Sequence, residues 1–427
     1  MIYQSNIEKF IFYTIPVILF SLLPFFLITG PFLPDLSISL ISLLFLIYCF
    51  KEKKFFYFQN KYFYIFLLFW FYLILNSLLN NFNLDSLKIS FFYFRYGVFV
   101  IAIIALLNED DKFIKFFFYC IFLCFMSLIL DGFYQYFFGK NIIGLELSIT
   151  KRVSSFFGDQ MILGSYISRL WPIFFGLSII LIKEKKYIFY LLISIFILSE
   201  VLIFISGERT AFFFLNLSAV FVILFSQKLK KLRFFILVTS ISLIILINFI
   251  NPSSKERMID KTVKEMNILN QSKNDNSNQK TEKKYIFTQI HTEYYISAYK
   301  MFLDNKIFGV GVKNFRNFCN KDKYKSDKSC SNHPHNTYIQ ILSEIGIIGI
   351  LFLLLVNIYF LKNLLRHLSL KFNNKFYFSD FEICILSGLA IYLWPFAPTG
   401  NVFNNWLNII MILNLPFLAW SRNLTKK

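Results

Sequence analysis

Long apolar runs alternate with short polar loops along almost the whole chain. Each run approaches the roughly 20 apolar residues that an α-helix needs to cross a bilayer. The stretch YIFYLLISIFILSEVLIFI at 187–205 is typical, and it lacks the alternation of apolar and polar residues that marks a membrane β-barrel. The pattern predicts an all-α fold, a polytopic integral membrane bundle of about twelve transmembrane helices. The runs lie near residues 9–29, 33–50, 62–79, 90–107, 113–137, 161–182, 187–205, 210–226, 234–250, 337–361, 381–397 and 406–420.

Composition narrows the class of protein further. Hydrophobic residues make up 56% of the 427-residue chain and charged residues only 16%, whereas about a quarter of a soluble domain is charged. A soluble enzyme, a fibrous protein and a disordered tail are therefore excluded. The first run follows Lys9 and lacks a small-residue cleavage site before Gly30, so we interpret it as a retained helix and not as a signal peptide.

The net charge of +19 would be typical of a nucleic-acid-binding protein if it were concentrated on one soluble face. With the N-terminus placed in the cytoplasm, however, the short loops on that side carry most of the loop lysines and arginines, as in KLKKLR at 228–233. This is the positive-inside pattern. It predicts that both termini are cytoplasmic, and it explains much of the basic charge through topology and anionic lipids, without a nucleic-acid partner.

One long hydrophilic segment, 251–336, falls between the ninth and tenth runs and is predicted to lie outside. Its middle, QSKNDNSNQKTEKK at 271–284, is polar and predicted to be flexible. Residues 285–302 place aromatic and aliphatic side chains at helical spacing, and FGVGVKNF at 308–315 supplies glycines for a tight turn. We expect a helix and a turn lying against the outer mouth of the bundle.

Two of the six cysteines, Cys319 and Cys330, lie in this external segment, where an oxidising compartment permits a disulfide. Zinc is the alternative, because His333 and His335 would complete a set of four ligands. The spacing C-x10-C-x2-H-x-H matches no common structural zinc pattern, so the disulfide is favoured. The other cysteines lie in apolar runs, where buried thiols are expected: Cys49, Cys120, Cys124 and Cys384.

Arg209 stands in SGERTA at 206–211, between two runs joined by almost no loop. Ionisable residues at membrane depth are costly and usually mark a function. A guanidinium is always charged and can hold a phosphate through two hydrogen bonds. The alternative is an arginine that extends its charge to the lipid headgroups.

Two of the four histidines, His333 and His335, crowd the start of the tenth run in HPHNTYIQILSEIGIIG at 333–349. A histidine titrates near neutrality and can accept a proton from a reacting hydroxyl. Glu344 falls inside the apolar helix beside Gly346, where the glycine, together with Gly349, would let another helix approach closely. Interfacial histidines without a partner are the alternative interpretation.

Further arginines occur on the side predicted to be external, Arg95 in FFYFRYG, Arg152 in KRVSSFFGDQMILGSY, and Arg169. Together with Arg209 they would line one outward-facing basic cavity. Several guanidiniums around a cavity favour a polyanionic ligand, and we expect a lipid diphosphate.

The stretches SGERTA, FGVGVKNFR and HPHNTYIQILSEIGIIG, in this order, resemble the O-antigen ligase and O-antigen polymerase superfamily. The matched region runs from about 195 to 356 and contains the long external loop before a His-x-His-Asn helix start. The resemblance implies an N-terminal transmembrane region at 1–194, an O-antigen ligase-like domain at 195–356 and C-terminal transmembrane helices at 357–427.

The resemblance also implies an inner-membrane glycosyltransferase that needs no metal or other cofactor. Such an enzyme moves a glycan from undecaprenyl diphosphate onto an acceptor hydroxyl at the periplasmic face, with inversion at the anomeric carbon. Arg209 matches the arginine that holds the donor diphosphate, and His335 matches the essential histidine. Asn336 either holds the imidazole or begins the helix.

His291 departs from the family pattern. It stands where many relatives carry a second arginine, four residues before a tryptophan position that is Tyr295 here. The second phosphate contact is therefore left open among His291, Arg316 and Arg152, and His333 is a further candidate for substrate binding.

The resemblance favours a ligase whose acceptor is lipid A-core over a polymerase that extends the glycan repeat. The two activities share the donor and the site, and no residue names the acceptor. A transporter of an anion or a lipid-linked sugar is the alternative from another class. Transporters often consist of two related halves, and the external loop has no counterpart in the first half.

Overall fold

The computed structural model describes residues 5–80, 83–148, 152–182, 186–250, 253–265, 287–326 and 330–424. Within these ranges the chain is helical and forms no strand, only a single antiparallel bridge between Lys140 and Glu146. The predicted all-α membrane fold is confirmed. The predicted flexible stretch 271–284 lies outside the described residues.

The α-helices of the described ranges are α1 (Asn6–Lys9), α2 (Ile15–Ser21), α3 (Leu23–Thr29), α4 (Phe32–Lys51), α5 (Lys61–Leu79), α6 (Leu84–Phe92), α7 (Phe94–Glu109), α8 (Ile114–Phe138), α9 (Leu163–Leu181), α10 (Lys186–Ile205), α11 (Arg209–Phe225), α12 (Lys230–Ile250), α13 (Ser253–Lys255), α14 (Lys261–Glu265), α15 (Gln289–Asp304), α16 (Phe315–Phe318), α17 (Thr337–Phe372), α18 (Asp380–Leu393), α19 (Asn405–Ile412) and α20 (Asn414–Leu424). Two π-helical turns, Phe10–Thr14 and Glu256–Asp260, and two 3-10 turns, Phe55–Phe58 and Ser155–Phe157, join some of them.

Each predicted apolar run coincides with helix. Eight helices of the described residues are long and apolar enough to cross a membrane, and the bent pair Asn6–Ser21 and Leu23–Thr29 makes a ninth. The remaining predicted spans correspond to shorter helices, α11, α18 and the interrupted pair α19 and α20. The length and composition of the helices therefore support eight or nine spans, and the sequence expectation of about twelve includes these shorter helices.

Helix α9 lies at the centre of the bundle and is the most buried of the candidate spans. It packs against α18, α11, α10 and α8. Trp171 stacks on Phe175 with ring centroids 4.6 Å apart, and Phe196 of α10 meets the Trp171 ring edge at 5.2 Å. Lipid tails are as apolar as these side chains, so close contact between the rings, and not burial from water, stabilises the centre.

The prediction that Arg233 is one of the charged residues of a cytoplasmic loop is corrected by the structure. It was expected in a cytoplasmic loop, but in the structure it is fully buried, ion-paired with Glu200 of α10. Its guanidinium lies 4.4 Å from the centroid of the Trp171 ring. A charge without water is stable only when it is paired, and Glu200 provides the pairing.

The loop between α15 and α16 docks onto a break in α17. Gly346 has φ +67° inside this helix. Around it, backbone N–H groups of the loop donate to carbonyls of α17, and N–H groups of α17 donate to carbonyls of the loop. Val310 N donates to Ser343 O at 2.9 Å, and Ile347 N donates to Lys306 O at 2.9 Å. A Cβ at Gly346 would overlap the carbonyl of Ile307. The predicted close approach at this glycine is thus made by the backbone of a loop and not by another helix.

Glu344 holds the same loop from inside α17. Its carboxylate accepts hydrogen bonds from Lys313 N and Phe315 N, both at 3.1 Å, and from the side chain of Gln340 at 2.9 Å. The predicted helix before this loop is α15, and the predicted glycine turn follows it. Glu344 therefore fixes the loop between α15 and α16 to α17.

Candidate functional site

Asn336 is the N-cap of α17. Its side-chain oxygen accepts hydrogen bonds from Tyr338 N at 3.0 Å and Ile339 N at 3.1 Å, which satisfies backbone donors that the first helical turn cannot satisfy itself. Its side-chain nitrogen donates to Pro395 O at 2.8 Å. Of the two roles considered for Asn336, the structure shows the helix start, and it adds a tie to the loop after α18.

His335, directly before this cap, is held by its backbone and its ring. It adopts φ +57°, a conformation that is uncommon for a residue other than glycine. The N–H of Thr399 donates to its carbonyl at 2.8 Å. Its Nε2 lies 3.1 Å from Ser331 Oγ, and Tyr294 stacks on the ring at a centroid distance of 5.4 Å. The surrounding loops thus impose the orientation of the imidazole.

His333 packs beside His335, with ring centroids 4.0 Å apart. Its Nε2 lies 3.2 Å from Thr399 O, an acceptor that requires the hydrogen to be on Nε2. Burial lowers the pKa of His333 to about 4. Burial, followed by the neighbouring His333 and His291, lowers the pKa of His335 to about 3. Both rings are therefore neutral near pH 7, and each retains a lone pair.

His291 links this imidazole pair to the arginines. It lies in the first turn of α15, with Nδ1 2.8 Å from Thr288 Oγ1 and its ring 5.6 Å from that of His335. Burial lowers the pKa of His291, Glu265 opposes this effect and Arg209 adds to it. His291 is therefore within electrostatic range of Arg209 while it contacts His335.

Arg209 is the first residue of α11, where the helix dipole adds positive potential. Its Nη1 donates to Glu265 Oε2 at 2.6 Å, and its Nε donates to Arg257 O at 3.2 Å. The Arg257 side chain turns back and donates from Nε to Gly207 O at 3.1 Å. Arg209 and Arg257 thus hold the two segments that carry them together.

Arg152 joins the same group from the loop before α9. Its Nε donates to Ser206 O at 3.1 Å. Burial and the nearby Arg209 lower its pKa, and Glu208 opposes them. Glu208 is fixed at the N-terminus of α9, where it accepts from Gly164 N at 2.6 Å and Ser165 N at 2.9 Å. We call Arg152, Arg209 and Arg257 the arginine group.

Two of the predicted arginines are placed elsewhere. Arg95 forms a two-pronged ion pair with Asp35 and also donates to Ser39 Oγ at 3.1 Å. Arg169 is buried in α9 between the rings of Phe214 and Tyr392. Among the described residues, no hydrogen bond or ion pair connects either guanidinium to the arginine group, although Arg169 is close enough to interact electrostatically with Glu208.

Arg316, the remaining candidate for a second phosphate contact, lies on α16. It is close enough to His333 to contribute to the lowering of that residue's pKa. Arg316 therefore belongs to the histidine side of the site, whereas Arg152 belongs to the arginine side.

Cys319 and Cys330 are joined in a disulfide in the structure, with Cα atoms 5.0 Å apart. The bridge lies in a small core with Ala298, Met301 and Phe315, which packs α15 against α16. Sulfurs joined in this way cannot ligate a metal, so the alternative zinc set with His333 and His335 does not fit this arrangement.

Three contributors were missed in the sequence: Arg257, Glu265 and Thr399. Thr399 lies between Pro398 and Gly400, a composition that marks an ordered turn after a helix. Arg257 follows the ninth apolar run directly, but the whole of 251–336 was treated as one hydrophilic segment. Nothing local indicates that Glu265 meets Arg209, because the two residues are far apart in sequence.

Part of the chain matches a known protein family. Residues 192–354 match the model of the O-antigen ligase family. No curated protein matches the chain significantly. The matched region contains Arg209, Arg257, His291 and His335, and the resemblance to the O-antigen ligase superfamily is confirmed.

Proposed function

We propose, from the membership of residues 192–354 in the O-antigen ligase family, that this multi-pass bacterial membrane protein transfers a glycan from undecaprenyl diphosphate to an acceptor hydroxyl at the periplasmic face. The family supports, in general terms, a membrane enzyme that ligates or polymerises glycans. The favoured acceptor is lipid A-core. The observation that carries the proposal is that His291 contacts the ring of His335 and lies within electrostatic range of Arg209.

The arginine group suits a diphosphate donor. Charge-assisted hydrogen bonds from a planar guanidinium match the oxygens of a phosphate in pairs. When the bond between the sugar and the diphosphate breaks, the electron pair stays with the diphosphate. Guanidiniums fixed beside it stabilise this charge as it grows, which lowers the barrier to transfer.

His335 suits the acceptor hydroxyl. In the proposed step the hydroxyl oxygen attacks the anomeric carbon, the bond from that carbon to the diphosphate oxygen breaks, and the hydroxyl proton passes to the imidazole. Such a single displacement inverts the anomeric carbon. The lowered pKa of His335, about 3, keeps the imidazole neutral and able to accept a hydrogen bond. A diphosphate bound nearby would raise this pKa and favour the proton transfer.

The proposed reaction needs no metal ion, because the arginine group supplies the positive charge. Purified protein should therefore keep its transfer activity in the presence of EDTA. Loss of activity that zinc or magnesium restores would contradict this part of the proposal.

The proposed topology places both termini in the cytoplasm and the arginine group on the periplasmic side. The charge of the short loops supports it. A green fluorescent protein fused after Lys427 should fluoresce, since it folds in the cytoplasm. If alkaline phosphatase fused at the same position is active and the green fluorescent protein fusion does not fluoresce, the orientation is the reverse of the proposed one.

The central test is transfer by purified full-length protein in detergent, with labelled undecaprenyl-diphosphate-linked glycan and lipid A-core. His335→Ala should abolish product formation while the protein remains folded. His367 is a matched control, because it is the remaining histidine of the chain and binds Phe225 O and Phe378 N in another part of the bundle. His367→Gln should keep activity per folded protein. Full activity of His335→Ala would remove the histidine from the mechanism.

Disruption of the gene distinguishes the acceptor. Loss of a ligase leaves long glycan chains on the carrier lipid, whereas loss of a polymerase leaves single repeats attached to the core. A wild-type protein that forms no product in detergent, but moves the donor across vesicles, would indicate a transporter.

A further inference from the structure

Two other arginines bind consecutive backbone carbonyls of the turn before Arg209. Arg152 donates from Nε to Ser206 O, and Arg257 donates from Nε to Gly207 O, each at 3.1 Å. Both bonds use the inner nitrogen of the guanidinium. Arg152 also donates from Nη2 to Met161 O at 3.5 Å. The terminal nitrogens of Arg257, the pair that can hold two phosphate oxygens, are not used in its bond to Gly207.

Gly207 makes room for Arg257. It has φ +69°, and a Cβ there would lie 2.7 Å from Arg257 Cδ and 2.8 Å from Arg257 Nε. A side chain at position 207 would therefore displace the stem of Arg257. The close crossing fixes the guanidinium of Arg257 beside the segment that carries Arg209.

The carboxylate of Glu265 is bound to the guanidinium of Arg209 in the structure. Its Oε2 accepts from Arg209 Nη1 at 2.6 Å, the contact that a phosphate oxygen would make. Glu265 lies at the end of α14, only a few residues after Arg257, so one short segment brings both a cation and an anion to Arg209. The Glu265 side chain is 36% exposed, which leaves it room to move away.

We propose that Arg257 is a ligand of the donor diphosphate and provides the second cationic contact that His291 does not supply as an arginine would. In the same proposal, the Glu265 carboxylate occupies the phosphate position on Arg209 until the donor displaces it. This inference rests on the proposed function, because the donor class is taken from it. It goes further by assigning the second cation to the segment after α12.

The charges around the site agree with this assignment. With Glu265 displaced, the arginine group has three positive charges, and Glu208 remains fixed on the N-terminus of α9. The resulting net charge of +2 equals in magnitude the two negative charges of a diphosphate esterified at both ends. Burial, and then the neighbouring Arg152 and Arg209, lower the pKa of Arg257, which reflects cations held close together. A bound dianion would relieve this repulsion.

Binding of a polyprenyl diphosphate to the full-length protein in detergent tests the inference without turnover. Arg257→Gln should weaken binding about tenfold or more, because a hydrogen bond to a charged group contributes about 1.5–3 kcal/mol and each 1.4 kcal/mol is a tenfold change. The matched control is Lys264→Gln, an exposed cation on the same segment, which should stay within about twofold. Glu265→Gln should tighten binding, because it removes the competing carboxylate.

Gly207→Ala provides a second route if Arg257→Gln does not fold. It leaves every charge in place but displaces the Arg257 stem, so it should also weaken binding while Lys264→Gln does not. Arg257→Gln or Gly207→Ala with the affinity of the control would overturn the assignment of Arg257. An unchanged or weaker affinity of Glu265→Gln would overturn the role of the carboxylate.

The two levels of the proposal fail differently. If the wild-type protein does not bind polyprenyl diphosphate, the proposed donor is wrong, and the inference about Arg257 is overturned with it. If the wild type binds and Arg257→Gln binds equally well, the proposed function stands and the inference alone is wrong.

Discussion

Two of the sites where guanidinium and carboxylate groups meet in this chain differ in charge balance and in access. Inside the bundle, Arg233 is fully buried and ion-paired with Glu200, one cation to one anion. The arginine group, by contrast, has three cations, and the side chain of Arg209 is 26% exposed. The carboxylate beside it, that of Glu265, is partly exposed and bound to Arg209.

The difference separates a structural ion pair from a binding site. A buried pair that matches charge for charge has no capacity left for a ligand, and its members mainly compensate each other's desolvation. An accessible group with an excess of cations can accept an anion from outside.

Arg209→Lys should reduce glycan transfer by roughly a hundredfold or more, because an ammonium cannot form the paired hydrogen bonds of a guanidinium to a developing charge. Thermal stability in detergent should remain close to that of the wild type, since Arg209 is partly exposed. Product formation per folded protein is the measurement. Wild-type turnover in this variant would indicate an arginine that merely reaches the lipid headgroups.

Arg233→Met should show the opposite profile. Removing one partner of a buried ion pair leaves the Glu200 carboxylate uncompensated, and such a change costs about 3–5 kcal/mol. The melting temperature should fall strongly, whereas the double variant Glu200→Leu with Arg233→Met should recover most of it. Transfer per folded protein should change little. A loss of transfer in a stable double variant would show that the internal pair also acts in catalysis.

Acid should affect stability before it affects the protonation of His335. The pKa values of His333 and His335 in the folded protein, about 4 and about 3, lie below the value of about 6.5 for an unfolded histidine. The unfolded chain therefore binds protons first, and stability that is fully present above about pH 6.5 falls as the pH approaches 4. Melting temperatures between pH 8 and pH 4 should show this decline, and His333→Gln should reduce its slope. A melting temperature that is constant over this range would contradict the depressed pKa values.

Arg95→Gln should have the smallest effect. Its two-pronged pair with Asp35 is partly exposed on both sides, and such pairs contribute about 0–1 kcal/mol. Transfer should stay within about threefold of the wild type, and the double variant with Asp35→Asn should behave alike. A large loss of donor binding in Arg95→Gln would return this arginine to the substrate site, where the sequence analysis had expected it.

The helices were predictable because apolar periodicity and length act locally. The points where the helices end or break have local causes in some places and tertiary causes in others. The helix of the eleventh run ends at Leu393, since Pro395 disfavours a helical conformation at Trp394. The break at Gly346, by contrast, exists because a loop from another part of the chain docks there. No pattern within the apolar run itself indicates that contact.

The candidate site was predictable to the extent that its chemistry lies in compact motifs. Arg209 and His335 stand in stretches that can be recognised directly. Arg257 and Glu265 enter the site only because the segment after α12 folds back over the turn at Gly207. Local composition does not encode that return, so sequence reasoning left the second phosphate contact open.

The break at Gly346 also bears on how the site responds to its lipid surroundings. The part of α17 before the break, residues 337–345, is fixed by the cap at Asn336 and by the loop at 306–311. The longer part, 347–372, belongs to a candidate membrane span, and a long transmembrane helix adjusts its tilt when the bilayer thickens or thins. Because Gly346 interrupts the regular helix between the two parts, we expect a change of tilt in the longer part to leave the part next to His335 in place.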